Sequence, residues 1–80
     1  MDGFHFDNSI LQQRGVLNRK GAPSTFDVSG MKSILQRLKI NDESEIAVPV
    51  FDRVAEISRG SARIISSNTP IILVEGNYLL

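Results

Sequence analysis

Apolar residues at Val28, Met31, Ile34, Leu35 and Leu38 recur every three or four positions, which lays them along one face of a helix. Asp27, just before them, is a helix N-cap residue type, and Lys32, Gln36, Arg37 and Lys39 fill the opposite face, with the late cations suiting the negative end of the helix dipole. A shorter helix is expected around Ile10 and Leu11, capped by Asn8-Ser9 and closed by Gly15 in the left-handed conformation. Val16 to Ser24, with Arg19-Lys20-Gly21-Ala22-Pro23, reads as an exposed basic loop, and Asn41 to Glu45 as a polar connector.

The second half changes period. Ile46 to Phe51 has strand composition, but Pro49 cannot donate to a ladder, which places this strand at an edge or near its end. Val54 to Arg59, followed by Gly60, reads either as a short helix or as one arm of a hairpin whose other arm is Ala62 to Ile65. Ile71 to Val74 is continuously apolar, the pattern of a parallel strand buried on both faces, with Glu75-Gly76 at its carboxyl end. Strands separated by a helix predict an α/β fold, a mostly parallel sheet with flanking helices, in which ligands bind beyond the carboxyl ends of the strands. Asp2 and Glu75 are both expected at that rim.

Composition narrows the partners. Nine basic and nine acidic residues cancel, leaving no global field to recruit nucleic acid or an anionic membrane. The absence of cysteine removes disulfide and thiolate-metal chemistry and fits a reducing cytoplasm. No apolar stretch approaches the roughly 20 residues that span a bilayer, and the first residues lack the pattern of a signal peptide. A soluble, cytoplasmic protein is expected.

Candidate chemistry begins at once. Met1-Asp2-Gly3-Phe4-His5-Phe6 sets a carboxylate before a glycine and aromatics, as a catalytic turn does, yet terminal residues fray unless tied down. At the other end, the apolar run stops without a polar tail. Residues 1–80 are therefore expected to form a single incomplete segment of a larger domain, with parts missing on both sides.

Taken in order, Asp2-Gly3-Phe4, Arg14-Gly15, Lys20-Gly21-Ala22-Pro23-Ser24-Thr25-Phe26-Asp27, Val48-Pro49-Val50-Phe51-Asp52 and Val74-Glu75-Gly76 resemble the P-loop kinases that include uridine kinase, bacterial pantothenate kinase and phosphoribulokinase. The likeness extends to the bacterial branch of nucleoside or nucleotide kinase-like proteins and sugar kinases linked to fructose transport. It implies a partial P-loop NTPase fold and an ATP-dependent transfer of the γ-phosphoryl group to the hydroxyl of a small molecule. Asp2 then matches the general base, and Glu75 the acid that helps hold Mg2+. Asp52, Arg53 and His5 match positions near the acceptor, although a surface ion pair explains Asp52 and Arg53 equally well and packing explains a lone histidine. Asp27 matches too, but its helix cap accounts for it.

Two departures set limits. Where uridine kinases carry Asp-His-Pro this chain reads Gly21-Ala22-Pro23, and where pantothenate kinases carry Tyr-Ser-His it reads Phe51-Asp52-Arg53, so neither uridine nor pantothenate is the expected acceptor. No Gly-x-x-x-x-Gly-Lys-[Ser/Thr] occurs, and that loop supplies the amides and lysine that cradle ATP phosphates. The isolated chain is thus expected to be inactive. The competing reading is a non-catalytic binding or interaction module derived from such a kinase, which predicts an independently folding chain and a homodimer covering its exposed edges.

Overall fold

The computed structural model describes residues 1–76 and 78. A one-turn 3-10 helix at Asp2–Phe4 leads into α1, Asn8–Gln13; two further 3-10 turns, Leu17–Arg19 and Pro23–Thr25, precede α2, Val28–Ile40, and the antiparallel strands β1, Glu45–Asp52, and β2, Ile57–Ser66.

Local chemistry explains the helix ends. The cap of α1 is Asp7 rather than the expected Asn8-Ser9: its Oδ2 accepts from the Ser9 amide at 3.0 Å and the Ser9 hydroxyl at 2.6 Å. The Ser9 hydroxyl, then the Ser9 amide, hold the Asp7 carboxyl below its ordinary value. At the other end Gly15 adopts φ +70, as expected, while its amide bonds the Gln12 carbonyl at 3.1 Å and the Val16 amide bonds the Leu11 carbonyl at 2.9 Å. Asp27 caps α2 by accepting from the Gly30 amide at 3.0 Å, and Asn41 ends the helix with φ 55. The apolar face of α2 is largely as expected, with Met31 buried and Ile34, Leu35 and Leu38 half-buried, but Val28 in the first turn is exposed. Leu11, Phe26, Met31 and Ile46 form the small core.

The sheet departs from expectation. Residues 54–59 and 62–65 are not two arms of a hairpin; both belong to the neighbourhood of β2, which pairs along its length with β1. The chain reverses at Arg53–Glu56 instead, where the Asp52 carboxylate accepts from the Val54 and Ala55 amides, each at 3.0 Å, and Glu56 takes φ 55. Pro49 lies within β1, and the register shifts there: Val48 faces Arg63 and Val50 faces Arg59, so Gly60, Ser61 and Ala62 bulge opposite the residue that has no N–H to give.

The α/β class holds, but the one sheet among the described residues is antiparallel rather than mostly parallel. Residues 71–74 form no ladder. They run as extended chain with Ile71 and Leu73 75% and 92% exposed, against 41% and 45% for Ile72 and Val74, so one side leans toward Leu38 and Ile65. A continuous apolar run signals burial on two faces, whereas among the described residues this segment is covered on one side only.

Candidate functional site

The Asp2 turn is tied down. The Phe6 amide bonds the Thr25 carbonyl at 2.9 Å and the Asp27 amide bonds the Phe4 carbonyl at 2.6 Å, joining residues 4–6 to 25–27 around a His5–Phe26 bridge. On its other side Gly3 lies so close to β1 that a Cβ would stand 2.7 Å from the Pro49 carbonyl oxygen, and the Ser58 hydroxyl of β2 donates to the Gly3 carbonyl. Contacts 19 to 55 positions away in sequence thus remove the fraying that a terminal acid would otherwise suffer.

The aromatic neighbours hold His5. Its ring lies 4.1 Å from the Phe26 centroid and 5.0 Å from that of Phe51, edge-on to the latter. Nδ1 sits 2.7 Å from the Asp2 carbonyl oxygen. A carbonyl only accepts, so Nδ1 carries the proton in this arrangement.

Asp2, His5, Lys20, Phe51, Arg53 and Glu56 line an open cleft of about 350 Å³. The Asp2 carboxylate is 49% exposed and its Oδ2 lies 3.4 Å from Nη2 of Arg53, itself 87% exposed. Lys20, for which a solvated loop is the default expectation and contact with a phosphate or acidic substrate the alternative, enters the cleft: Nζ donates to Asn8 Oδ1 at 2.9 Å and to the Glu56 carbonyl, and lies 5.1 Å from the Phe51 ring centre. Its position before Gly21, which takes φ 102, is the sequence signal that it terminates a fixed turn; no spacing pattern reveals its partners. A roomier groove of about 480 Å³ flanks the same 3-10 turn, lined by Gly3, Asp27, Ser33, Pro49, Ser58 and Ser61 among others, but it gathers no cation beside a carboxylate.

The structure therefore brings Asp2, His5 and Arg53 together and separates the remaining candidates from them. Asp52 spends its carboxylate on the hairpin turn and does not line the cleft. Glu75 lies outside it, beside Met1, whose amine donates to the Glu75 carbonyl at 2.8 Å and lies 3.4 Å from Oε1. Among the described residues no three acids or histidines converge as metal ligands. The Glu75 carboxylate, 88% exposed, has the Met1 amine beside one of its oxygens; as a hard-oxygen donor it suits Mg2+ as a single protein ligand, since that ion keeps several waters. The nucleotide is a different case: nothing on the chain resembles a phosphate-binding loop, and the residues do not fit ATP. No helix among the described residues is long and apolar enough to cross a membrane.

Known proteins resemble this chain from end to end. A pantothenate kinase of Listeria welshimeri is 33% identical over 79 residues, 99% of this chain and 25% of its own length. The uncharacterized protein YggC of Escherichia coli K12 is 36% identical over 80 residues, 32% of its length. The crystal structure of a "putative fructose transport system kinase" from Silicibacter sp. TM1040 superposes with a TM-score of 0.91 at 42% identity, covering all of this chain and 38% of that one. No family model matches. The chain spans about a quarter of the length of the pantothenate kinases it matches. These similarities bear out the resemblance to P-loop kinases and the correspondence of this fold to part of a kinase domain.

Proposed function

We propose that this chain carries the acceptor side of an ATP-dependent small-molecule kinase, and that Asp2 is its general base. The observation that carries this reading is the placement of Asp2: a half-exposed carboxylate on a 3-10 turn fixed from two sides, at the mouth of a cleft that also holds Lys20 and Arg53. The kinase names of the relatives supply the reaction class.

In the proposed role, the acceptor hydroxyl donates a hydrogen bond to the Asp2 carboxylate, which aligns its oxygen for attack and receives its proton as the new bond to the γ-phosphorus forms and the bond from that phosphorus to the bridging oxygen breaks, ADP leaving with the bridging oxygen. Phosphoryl transfer depends chiefly on positioning and charge stabilisation, so one oriented carboxylate is a sufficient contribution from this half of the site. Lys20 and Arg53 place positive charge where the acceptor sits, and the edge of His5 closes the cleft beside the Asp2 carbonyl. Glu75 would hold Mg2+, which supplies charge neutralisation for phosphate oxygens. The acceptor is a hydroxylated small molecule, a sugar, a nucleoside or a related metabolite, and the setting is the cytoplasm, with neither nucleic acid nor membrane as partner.

Asp2→Asn tests the assignment. It retains shape and hydrogen bonding but cannot take the proton, so turnover in the protein bearing this chain should fall by about 10²- to 10⁴-fold while nucleotide affinity is kept. Equal loss of both would make Asp2 a structural residue. A panel of hydroxylated metabolites, assayed for ATP consumption, identifies the acceptor.

A further inference from the structure

We propose that Arg53 reads an anionic group, a carboxylate or a phosphate, carried by the acceptor; the inference rests on the assignment of the acceptor hydroxyl to Asp2. The chain contains its own standard of comparison. Arg37 grips Glu43 with Nε at 2.8 Å and Nη2 at 2.7 Å on separate oxygens, the two-pronged geometry of a closed pair. Arg53 touches Asp2 with one nitrogen at 3.4 Å, beyond the usual N–H···O range, and its side chain is 87% exposed.

A guanidinium has five N–H donors. The contact with Asp2 is the one side-chain hydrogen bond described for Arg53, so most of its fork is open to solvent at the cleft that the residue lines. Lys20, the other cation there, is committed: Asn8, the Glu56 carbonyl and the Phe51 ring surround its ammonium. The backbone beneath Arg53 is fixed, because Asp52 ties the Val54 and Ala55 amides. A placed Cα, a free planar fork and a weakly held carboxylate beside it form an arrangement that an incoming oxyanion can take over.

The exchange has a consequence for Asp2. A neutral acceptor leaves Arg53 on Oδ2, where it competes with the substrate hydroxyl for that oxygen. An acceptor with its own oxyanion draws the guanidinium away and leaves Oδ2 to the hydroxyl. Glu56 also lines the cleft, and together with Asp2 it repels an anion that Arg53 does not hold, which sharpens the dependence on this one residue.

The test is titration calorimetry on the protein with glycerate and ribose 5-phosphate as anionic probes, and glycerol and ribose as their neutral counterparts. At least one anionic probe should bind about tenfold or more tighter than its counterpart, the scale of a charge-assisted pair, and which one does so separates carboxylate from phosphate recognition. Arg53→Gln should erase that gap and Arg53→Lys restore part of it, since lysine keeps the charge but not the fork. Equal binding of charged and neutral probes, or a gap that survives Arg53→Gln, overturns the inference. If Asp2→Asn keeps full turnover while the gap persists, the base assignment falls and the anion site stands.

Discussion

Gly3 and Pro49 touch backbone to backbone: a Cβ at residue 3 would stand 2.7 Å from the Pro49 carbonyl oxygen and 3.0 Å from its carbonyl carbon. The bulge in β2 opposite Pro49 and the turn that presents Asp2 therefore share one seam. Glycine is required here by space, since the obstructing atoms belong to the backbone and cannot swing aside.

Gly3→Ala should destabilise the protein by about 1–3 kcal/mol, the usual cost of forcing a methyl group into a filled site. Gly60→Ala is the control, because nothing lies within 4 Å of the Cβ it would add, and it should change stability by less than about 0.5 kcal/mol. Urea denaturation of the two variants checks the contrast; equal effects would mean that the Gly3 seam relaxes freely.

Asp27→Ala removes the acceptor of the Gly30 amide and should cost about 1 kcal/mol, whereas Asp27→Ser should recover most of it. Thermal melts of the pair decide between a cap and a site residue. A cap predicts that serine rescues stability; loss of turnover in Asp27→Ser at unchanged stability would instead give Asp27 a part in the chemistry.

Acid should loosen α1 in a defined window. Hydrogen bonds from Ser9 lower the Asp7 carboxyl below its ordinary 3.8, so the stability it contributes is fully present above pH 3.8 and is lost as pH falls through the lower folded value. Glu43, lowered from 4.5 by its hydrogen bond from Arg37, behaves alike with its window beginning at 4.5. Carboxyl NMR titration should show Asp7 rising toward 3.8 in Ser9→Ala and Glu43 rising toward 4.5 in Arg37→Gln. An unchanged titration in either variant would remove that cause.

Lys20→Met keeps an apolar stem near Phe51 but loses the bonds to Asn8 and the Glu56 carbonyl. Because part of the contact is solvent-exposed, stability should drop by only about 1 kcal/mol. The hairpin turn should loosen far more, seen as faster amide exchange at Val54 to Glu56. Exchange at wild-type rates would show that the turn holds itself through Asp52 alone.

The helices were legible because their determinants are local: the apolar spacing from Met31 to Leu38, the Asp27 cap and the left-handed Gly15 need no distant partner. The hairpin was harder to place, since Gly60 advertises a turn while the reversal occurs at Arg53–Glu56 without any glycine, secured by Asp52. Residues 71–74 carry the composition of a buried strand, but composition does not name the neighbour that would pair with it. In the site, Asp2, His5 and Arg53 were recognisable by motif. Lys20 stands in a motif too, but its bonds to Asn8 and to Glu56, 36 positions away, follow from no periodicity. Asp52 has the residue type of a binding group and the position of a turn cap, and the structure uses it as the second.

The Thr25 side chain is fully buried, and its hydroxyl donates to the Ala22 carbonyl at 2.7 Å while accepting from the Gly21 amide at 3.0 Å. Its own carbonyl accepts from the Phe6 amide, the Asp27 amide two residues on bonds the Phe4 carbonyl, and the preceding residues run back to Lys20. One stiff bracket thus carries Lys20 at one tip and the Asp2 turn at the other. The cleft consequently behaves as a clamped vice: the bracket is one jaw, the Asp52-tied turn at Arg53–Glu56 is the other, and Lys20, fastened to the Glu56 carbonyl, is the hasp that sets the gap between them.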